Sequence, residues 1–239
     1  MQVKTKAIVL SGLKYGETSL IVRAFTEHSG LKSYLLQGVF SSKKGKLKMA
    51  YFQPLMQLEI VASHKNKGTL ERIVEARANY HYLSLHDNIA KNAMALFLAE
   101  MLSNSILEEE RNGELFQFLE ASLQWLDTHN EIANFHLYFL LRLTKYLGFY
   151  PDQTGMDAPY FDLVEGAFVY KPSLHPIMEG ENLAHFKLFL VTDFEGAHHI
   201  KMKKADRQDL LKQLVLYYGL HLQGFRKPRS LAVLNEVFS

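Results

Sequence analysis

The 239-residue chain contains no cysteine. Disulfides, thiolate zinc sites and cysteine nucleophiles are excluded together, and any metal would have to be held by histidine and carboxylate. Long hydrophobic runs are missing too. No stretch approaches the roughly 18 uninterrupted apolar residues of a membrane span, and the apolar part of MQVKTKAIVL is too short for a signal peptide. No membrane contact and a cytoplasmic location are expected. There is no GxSxG elbow, no phosphate-binding P-loop and no HExxH helix, and no spacing marks two carboxylates as an acid and base pair. The chain is therefore expected not to be an enzyme and to use no metal and no cofactor. Internal repeats and low-complexity segments are also absent.

Apolar residues make up 48% and charged residues 22%, which is ordinary for one large or two modest folded domains. The net charge of +2 conceals a strong partition. Residues 1–80 carry +8, residues 81–200 carry −11 and residues 201–239 carry +5. A basic first third, an acidic middle and a basic tail imply separate surfaces, the basic ones suited to a polyanion.

Five segments in the first third have strand character: Lys6 to Leu13, which begins with the apolar run Ala7 to Leu10, Ser19 to Thr26, Leu31 to Val39, which alternates less cleanly, Leu55 to Val61 and Leu70 to Ala78. Short strands with close turns predict a small closed or partly closed barrel. Near Asn79 the hydrophobic period becomes helical. Asp87 is expected to cap a helix that is apolar almost all round from Ala93 to Leu102, the mark of a helix buried at the centre of a bundle. A second helix from Glu114 and a third from about Glu131 follow, the third stopping at Gly148. Glycine and proline punctuate Pro151 to Gly196, so long helices are not expected there, and Phe161–Val164 with Ala167–Tyr170 reads as a hairpin. Helical pattern returns from Asp206, and Ser230 is placed to cap a last short helix. The expected domains are residues 1–79, a helical domain of 80–152 plus 201–239, and a small inserted module at 153–200.

The strongest chemical signal is QGVFSSKKGKLKMA, Gln37 to Ala50, where Lys43, Lys44, Lys46 and Lys48 surround Gly45. Four ammonium groups so close are either a solvated hairpin loop or an anion site. Nearby rings at Tyr15, Tyr34, Phe40, Tyr51 and Phe52 either stack on bases or fill the core, with burial favoured for Tyr34 and Phe52. Arg142 and Lys145 share one face of the third helix beside an apolar stripe. They form either a solvated edge or the positive rim of a groove for an acidic, aromatic-ended peptide. A zinc site from His175, His185, His198 and Asp193 lacks tight ligand spacing, and the adjacent His198 and His199 are expected to point apart.

The segment KAIVLSGLKYGETSLIVRAFTEHSGLKSYLLQGVFSSKKGKLKMAYFQPLMQLEI resembles the RecO family of bacterial recombination mediators. Gly16-Glu17-Thr18-Ser19, Phe25-Thr26, Gly30, Gly38, the lysine loop and Gln53-Pro54 fall in the family's order. LLRLTKYLGFYP (Leu140 to Pro151) and HLQGFRKPRSL (His221 to Leu231) are similar to the family's Leu-Gly-Tyr helix end and its Lys-Ser tail. Two departures stand out. Many members carry a four-cysteine zinc ribbon after the Gly-Tyr-x-Pro segment, which this chain replaces with a metal-free counterpart, and Gln37 stands where a Lys is frequent. The resemblance implies an α+β multidomain protein: a five-stranded OB-fold barrel, then an α-helical domain with a small inserted β-hairpin module. It implies recombinational repair at the bacterial nucleoid, with binding to single- and double-stranded DNA, strand annealing, contact with the C-terminal tail of single-strand-binding protein, and loading of RecA together with RecR. Phosphate contacts are expected from Arg23, Lys43, Lys44, Lys46 and Lys48, with Arg226, Lys227 and Arg229 as a second basic patch and Arg142 and Lys145 as the peptide contact. The same acidic middle and apolar helices also fit a protein-interaction scaffold with little DNA affinity of its own.

Overall fold

The computed structural model describes residues 1–40, 47–65 and 70–238. They form two compact units, Met1–Thr128 and His129–Ser239.

In the first unit β1 (Gln2–Tyr15), β2 (Ser19–Thr26), β3 (Gly30–Leu36), β4 (Gln57–Ser63) and β5 (Arg72–Ala78) make one sheet in the order β3-β2-β1-β4-β5, with every neighbour antiparallel. Alternation sends Ala7, Val9, Leu20, Val22, Leu58 and Ile60 into a shared core with Tyr34 and Ile73. The two sheet edges meet in a parallel bridge between Tyr34 and Glu71. There the Leu35 N–H donates to the Glu71 carbonyl (2.9 Å) and the Glu71 N–H to the Ser33 carbonyl (2.8 Å). This closure turns the sheet into the expected five-stranded OB-type barrel. A 3-10 turn, Met49–Phe52, inserts the Phe52 ring into the core.

The run Ala7-Ile8-Val9-Leu10 does not alternate because both of its faces are covered. Ala7 and Val9 join the barrel core, whereas Ile8 and Leu10 are buried outside it. Leu10 is the extra residue of a bulge between the pairs Val9↔Ala24 and Ser11↔Arg23. Helix α1 (Ile89–Ser105) lies against β1, and Ala93, Met94, Phe97, Leu98, Met101 and Leu102 are buried along it. Its cap is Asn88, one residue beyond the expected Asp87, accepting from the N–H groups of Ala90 (3.0 Å) and Lys91 (3.1 Å). From α2 (Gly113–Thr128), Phe116 stacks on Phe25 of β2 at 6.1 Å and Glu120 pairs with Lys6 of β1 at 2.9 Å.

The second unit holds α3 (Phe135–Tyr146), a three-stranded sheet of β6 (Tyr160–Asp162), β7 (Ala167–Val169) and β8 (Ile177–Met178) in the order β7-β6-β8, then α4 (Gly180–Val191), α5 (Phe194–Ala197), α6 (Lys204–His221) and α7 (Leu231–Val237). The expected hairpin is present as β6 and β7, joined by a third strand. Gly148, at φ +84°, follows α3 as the expected stop. Helix α4 corrects the expectation of no long helix between Pro151 and Gly196. Pro176 precedes it, Gly180 is its first residue and Gly196 lies beyond its end, so the punctuation bounds the helix instead of breaking it. Leu183, Phe186, Phe189 and Leu190 bury along its length. No helix among the described residues is long and apolar enough to cross a membrane.

One carboxylate ties the small sheet together. Buried Asp162 accepts from the Val164 N–H (2.9 Å), the Glu165 N–H (3.0 Å), the Ser173 hydroxyl (2.7 Å) and His175 Nδ1 (3.0 Å). Burial alone would push its pKa up, but the donors from Ser173, Glu165, Val164 and His175 outweigh that and hold it at about 2. A carboxylate depressed in the folded state contributes stability above its unfolded pKa and loses it as pH falls through the folded value. Asp162→Asn is therefore expected to cost about 2 kcal/mol at neutral pH, with the deficit shrinking between about pH 4 and pH 2. Thermal melts across that range check this, and a deficit independent of pH would contradict it.

Candidate nucleic-acid interface

The β1–β2 turn and the 3-10 turn meet at one end of the barrel. An ideal Cβ on Gly12 of β1 would lie 3.7 Å from the Phe52 carbonyl, and the Phe40 N–H donates to the Thr18 carbonyl at 3.2 Å. These contacts bring Tyr15 (57% exposed) and Phe40 (44% exposed) to the same end. The Lys14 ammonium stands 5.7 Å over the Phe40 ring, and exposed Lys48 precedes the 3-10 turn. Lys14, Tyr15 and Phe40 thus form an exposed group of one cation and two rings at the β1–β2 turn, able to pair with phosphate and to offer π-faces to bases.

Of the expected phosphate contacts, Lys43, Lys44 and Lys46 lie outside the described residues. The described residues that flank them, Val39 and Leu47, pack against the barrel core. Lys48 is exposed immediately before the 3-10 turn. Arg23 instead faces α1, its Nη1 donating to the Ser103 carbonyl (3.1 Å) and hydroxyl (3.2 Å). Among the five rings, Tyr34 and Phe52 are buried, Tyr51 is half-buried against the core, and Tyr15 and Phe40 are exposed. Lys14 is the residue that sequence reasoning missed, because it stands alone rather than in a run. The usable signal was its place one residue before Tyr15 at a strand end.

In the second unit Arg226, Lys227 and Arg229 are exposed around the buried Pro228, between α6 and α7, and the Phe225 ring packs 5.8 Å from Tyr218. On α3, Arg142 is held by aromatics and a carbonyl. Its Nη1 donates to the Tyr150 hydroxyl (3.0 Å) and its Nη2 to the Thr192 carbonyl (2.6 Å), with the Tyr138 ring 5.0 Å from the guanidinium carbon. Lys145 is exposed one turn further on. Val191, next to Thr192, and Leu188 are exposed apolar side chains of α4.

The four residues weighed as zinc ligands do not converge. His175 is bound to Asp162, and Asp193 caps α5 by accepting from the Gly196 N–H at 2.7 Å. His198 and His199 also depart from expectation, since their ring centroids lie 3.9 Å apart. They follow a one-turn helix in irregular backbone, where the alternation that would separate neighbours does not apply.

Barrel, edge closure and exposed rings among cations define an OB-barrel protein with a helical second part. The family model "Recombination protein O N terminal" matches residues 1–81, and "Recombination protein O C terminal" matches residues 86–231. Proteins named DNA repair protein RecO match over the full length of both chains: 52% identity in Christiangramia forsetii, 50% in Flavobacterium psychrophilum and 37% in Phocaeicola vulgatus. The chain belongs to the RecO family of DNA repair and recombination proteins.

Proposed function

We propose that this chain mediates recombinational repair by binding single- and double-stranded DNA at the barrel end, annealing complementary strands and, with RecR, helping to load RecA onto DNA coated with single-strand-binding protein. The observation that carries the reading is the exposed group of Lys14, Tyr15 and Phe40, with exposed Lys48 before the 3-10 turn and Lys43, Lys44 and Lys46 between Phe40 and Lys48 in the sequence. Annealing requires two polyanions to be held close, and a basic surface permits this by displacing their counterions. Arg226, Lys227 and Arg229 supply a second phosphate-binding patch. The role is non-catalytic and is exercised at the nucleoid in the bacterial cytoplasm. Residues 1–79 act as the DNA-binding module, residues 80–152 with 201–239 as the helical one, and residues 153–200 as an insertion. Fluorescence anisotropy with a labelled oligonucleotide tests the reading. Absence of binding at low salt, with partner binding retained, would replace it with the interaction scaffold.

The tail of single-strand-binding protein is assigned to Arg142 and Lys145. The support is a cation fixed among aromatic rings next to exposed Leu188 and Val191, which suits an acidic peptide ending in an aromatic residue. Lys145→Glu, at an exposed position, is expected to weaken such a peptide by about tenfold, and Arg142→Gln with Lys145→Glu by more. Anisotropy of a labelled peptide measures this, and an unchanged affinity in the double variant would remove the assignment.

A further inference from the structure

We infer that Glu131, His198 and His199 form a zinc site in the second unit. One ligand atom from each of the three side chains lies within 4.8 Å of the other two. An ion equidistant from three atoms at that spacing would stand ~2.8 Å from each, so closing to zinc–nitrogen and zinc–oxygen distances near 2.1 Å needs movements of ~0.7 Å. Exposed Glu131 and His199 can make such movements by rotation about their side-chain bonds.

The backbone that presents these ligands is built. Buried Asn134, three residues after Glu131, donates from Nδ2 to the Ala197 carbonyl (3.1 Å) and to the Ile200 carbonyl (2.7 Å). These two carbonyls immediately precede and follow the histidine pair, so one side chain pins both ends of it. Asn134 Oδ1 in turn accepts from Arg207 Nε (3.0 Å), and Arg207 Nη2 donates to the Met202 carbonyl (3.3 Å). The His199 N–H closes onto the Gly196 carbonyl at 3.1 Å. This frame holds the two imidazoles side by side and keeps the segment bearing Glu131 next to them.

Two imidazoles and one carboxylate suit a borderline divalent ion, zinc above the oxygen-seeking magnesium and calcium, and leave a fourth position for water. A chain without cysteine can hold zinc only with nitrogen and oxygen ligands. The ion would clip the loop before α3 to the turn between α5 and α6, 67 positions apart in sequence by residue number (131 to 198).

Isothermal titration of the full chain, stripped with a chelator and then freed of it, tests the site with zinc chloride alone. One zinc per chain is expected, together with a rise in melting temperature that magnesium does not produce. Glu131→Gln and His199→Gln should each weaken zinc by roughly tenfold or more, and their combination should abolish both binding and the melting shift. His81→Gln, at an exposed position in the other unit, should leave zinc affinity unchanged. Both ligand substitutions are at exposed positions, and circular dichroism confirms that the variants fold. No zinc binding by the wild type, or undiminished binding by the Glu131→Gln/His199→Gln variant, would overturn the inference.

Discussion

Replacing Asp127 with alanine is expected to destabilise the first unit by about 3–5 kcal/mol, the largest single-residue effect argued for this chain. Asp127 is 1% exposed in the last turn of α2, where a carboxylate opposes the helix dipole. Its partners explain its presence. Oδ1 accepts from the Ser84 N–H (2.8 Å) and the Leu85 N–H (2.8 Å), and Oδ2 from the Leu83 N–H (2.9 Å) and the Tyr80 hydroxyl (3.2 Å). The carbonyl of Asp127 accepts from the Lys91 ammonium (2.6 Å) and from the Ser84 hydroxyl (2.6 Å). Burial pushes the acid's pKa up, but the N–H groups of Leu83, Ser84 and Leu85 and the Tyr80 hydroxyl reverse the shift and hold it below the usual range. Alanine would leave three backbone donors without an acceptor and the buried Lys91 without the nearby negative charge. Lys91, whose own pKa is lowered by burial against the pull of Asp127, behaves differently. Lys91→Met removes a desolvated charge and leaves Asp127 with four donors, so it should cost much less, about 1 kcal/mol. Trp125, the chain's one tryptophan, is two residues away on α2 and reports the transition in denaturant. A loss below about 1 kcal/mol in Asp127→Ala would show that water replaces the carboxylate without difficulty.

That network also marks what a linear reading can and cannot see. Its other members stand 36 to 47 positions before Asp127, so no local pattern links them to the carboxylate. Strands with one buried face were legible, since alternation alone places Val22 and Ile60 inside the barrel. Where both faces are covered the pattern fades, and Ile8 and Leu10 give no hint that a helix lies outside them. The surroundings of Arg23 were hidden for the same reason. It occupies the outward face of β2, which looks like open surface until Ser103 of α1 is found against it. The α4 helix was hidden because counting prolines and glycines ignored that none falls between Glu181 and Val191. In the basic cluster, runs of lysine were easy to see and isolated Lys14 was not. Its value comes from the Phe40 ring beneath it, 26 residues away by number (14 to 40). The histidine pair failed on a different point. A rule about side-chain direction in regular structure was applied to a segment that is not regular.

If Lys14, Lys43, Lys44, Lys46 and Lys48 each neutralise one phosphate, affinity for single-stranded DNA should fall roughly a hundredfold between 50 and 200 mM salt, because each contact contributes a slope of about −0.7. Substituting Lys43, Lys44, Lys46 and Lys48 with alanine should lower the slope to about −0.7 and reduce that salt-driven loss to roughly threefold. Changing Lys14 and Lys48 alone should leave a slope of about −2.1 and a loss of roughly twentyfold. The rings act through a different term. Tyr15→Ala and Phe40→Ala remove stacking surface worth about 1–3 kcal/mol per base, a contribution that salt does not screen. Their effect should therefore appear as a parallel shift of the salt plot, present for single strands and nearly absent for duplex, whose bases are already stacked on one another. Lysine and ring variants together separate charge from stacking at one site. Anisotropy titrations over a salt series provide both readouts. If the four-lysine variant keeps the wild-type slope, the phosphate contacts lie at Arg226, Lys227 and Arg229 in the second unit, and the barrel end is not the DNA site. If the slope falls but the ring variants leave single-strand affinity intact, the barrel end grips backbone alone. It could then hold two strands for annealing without distinguishing a single strand from a duplex.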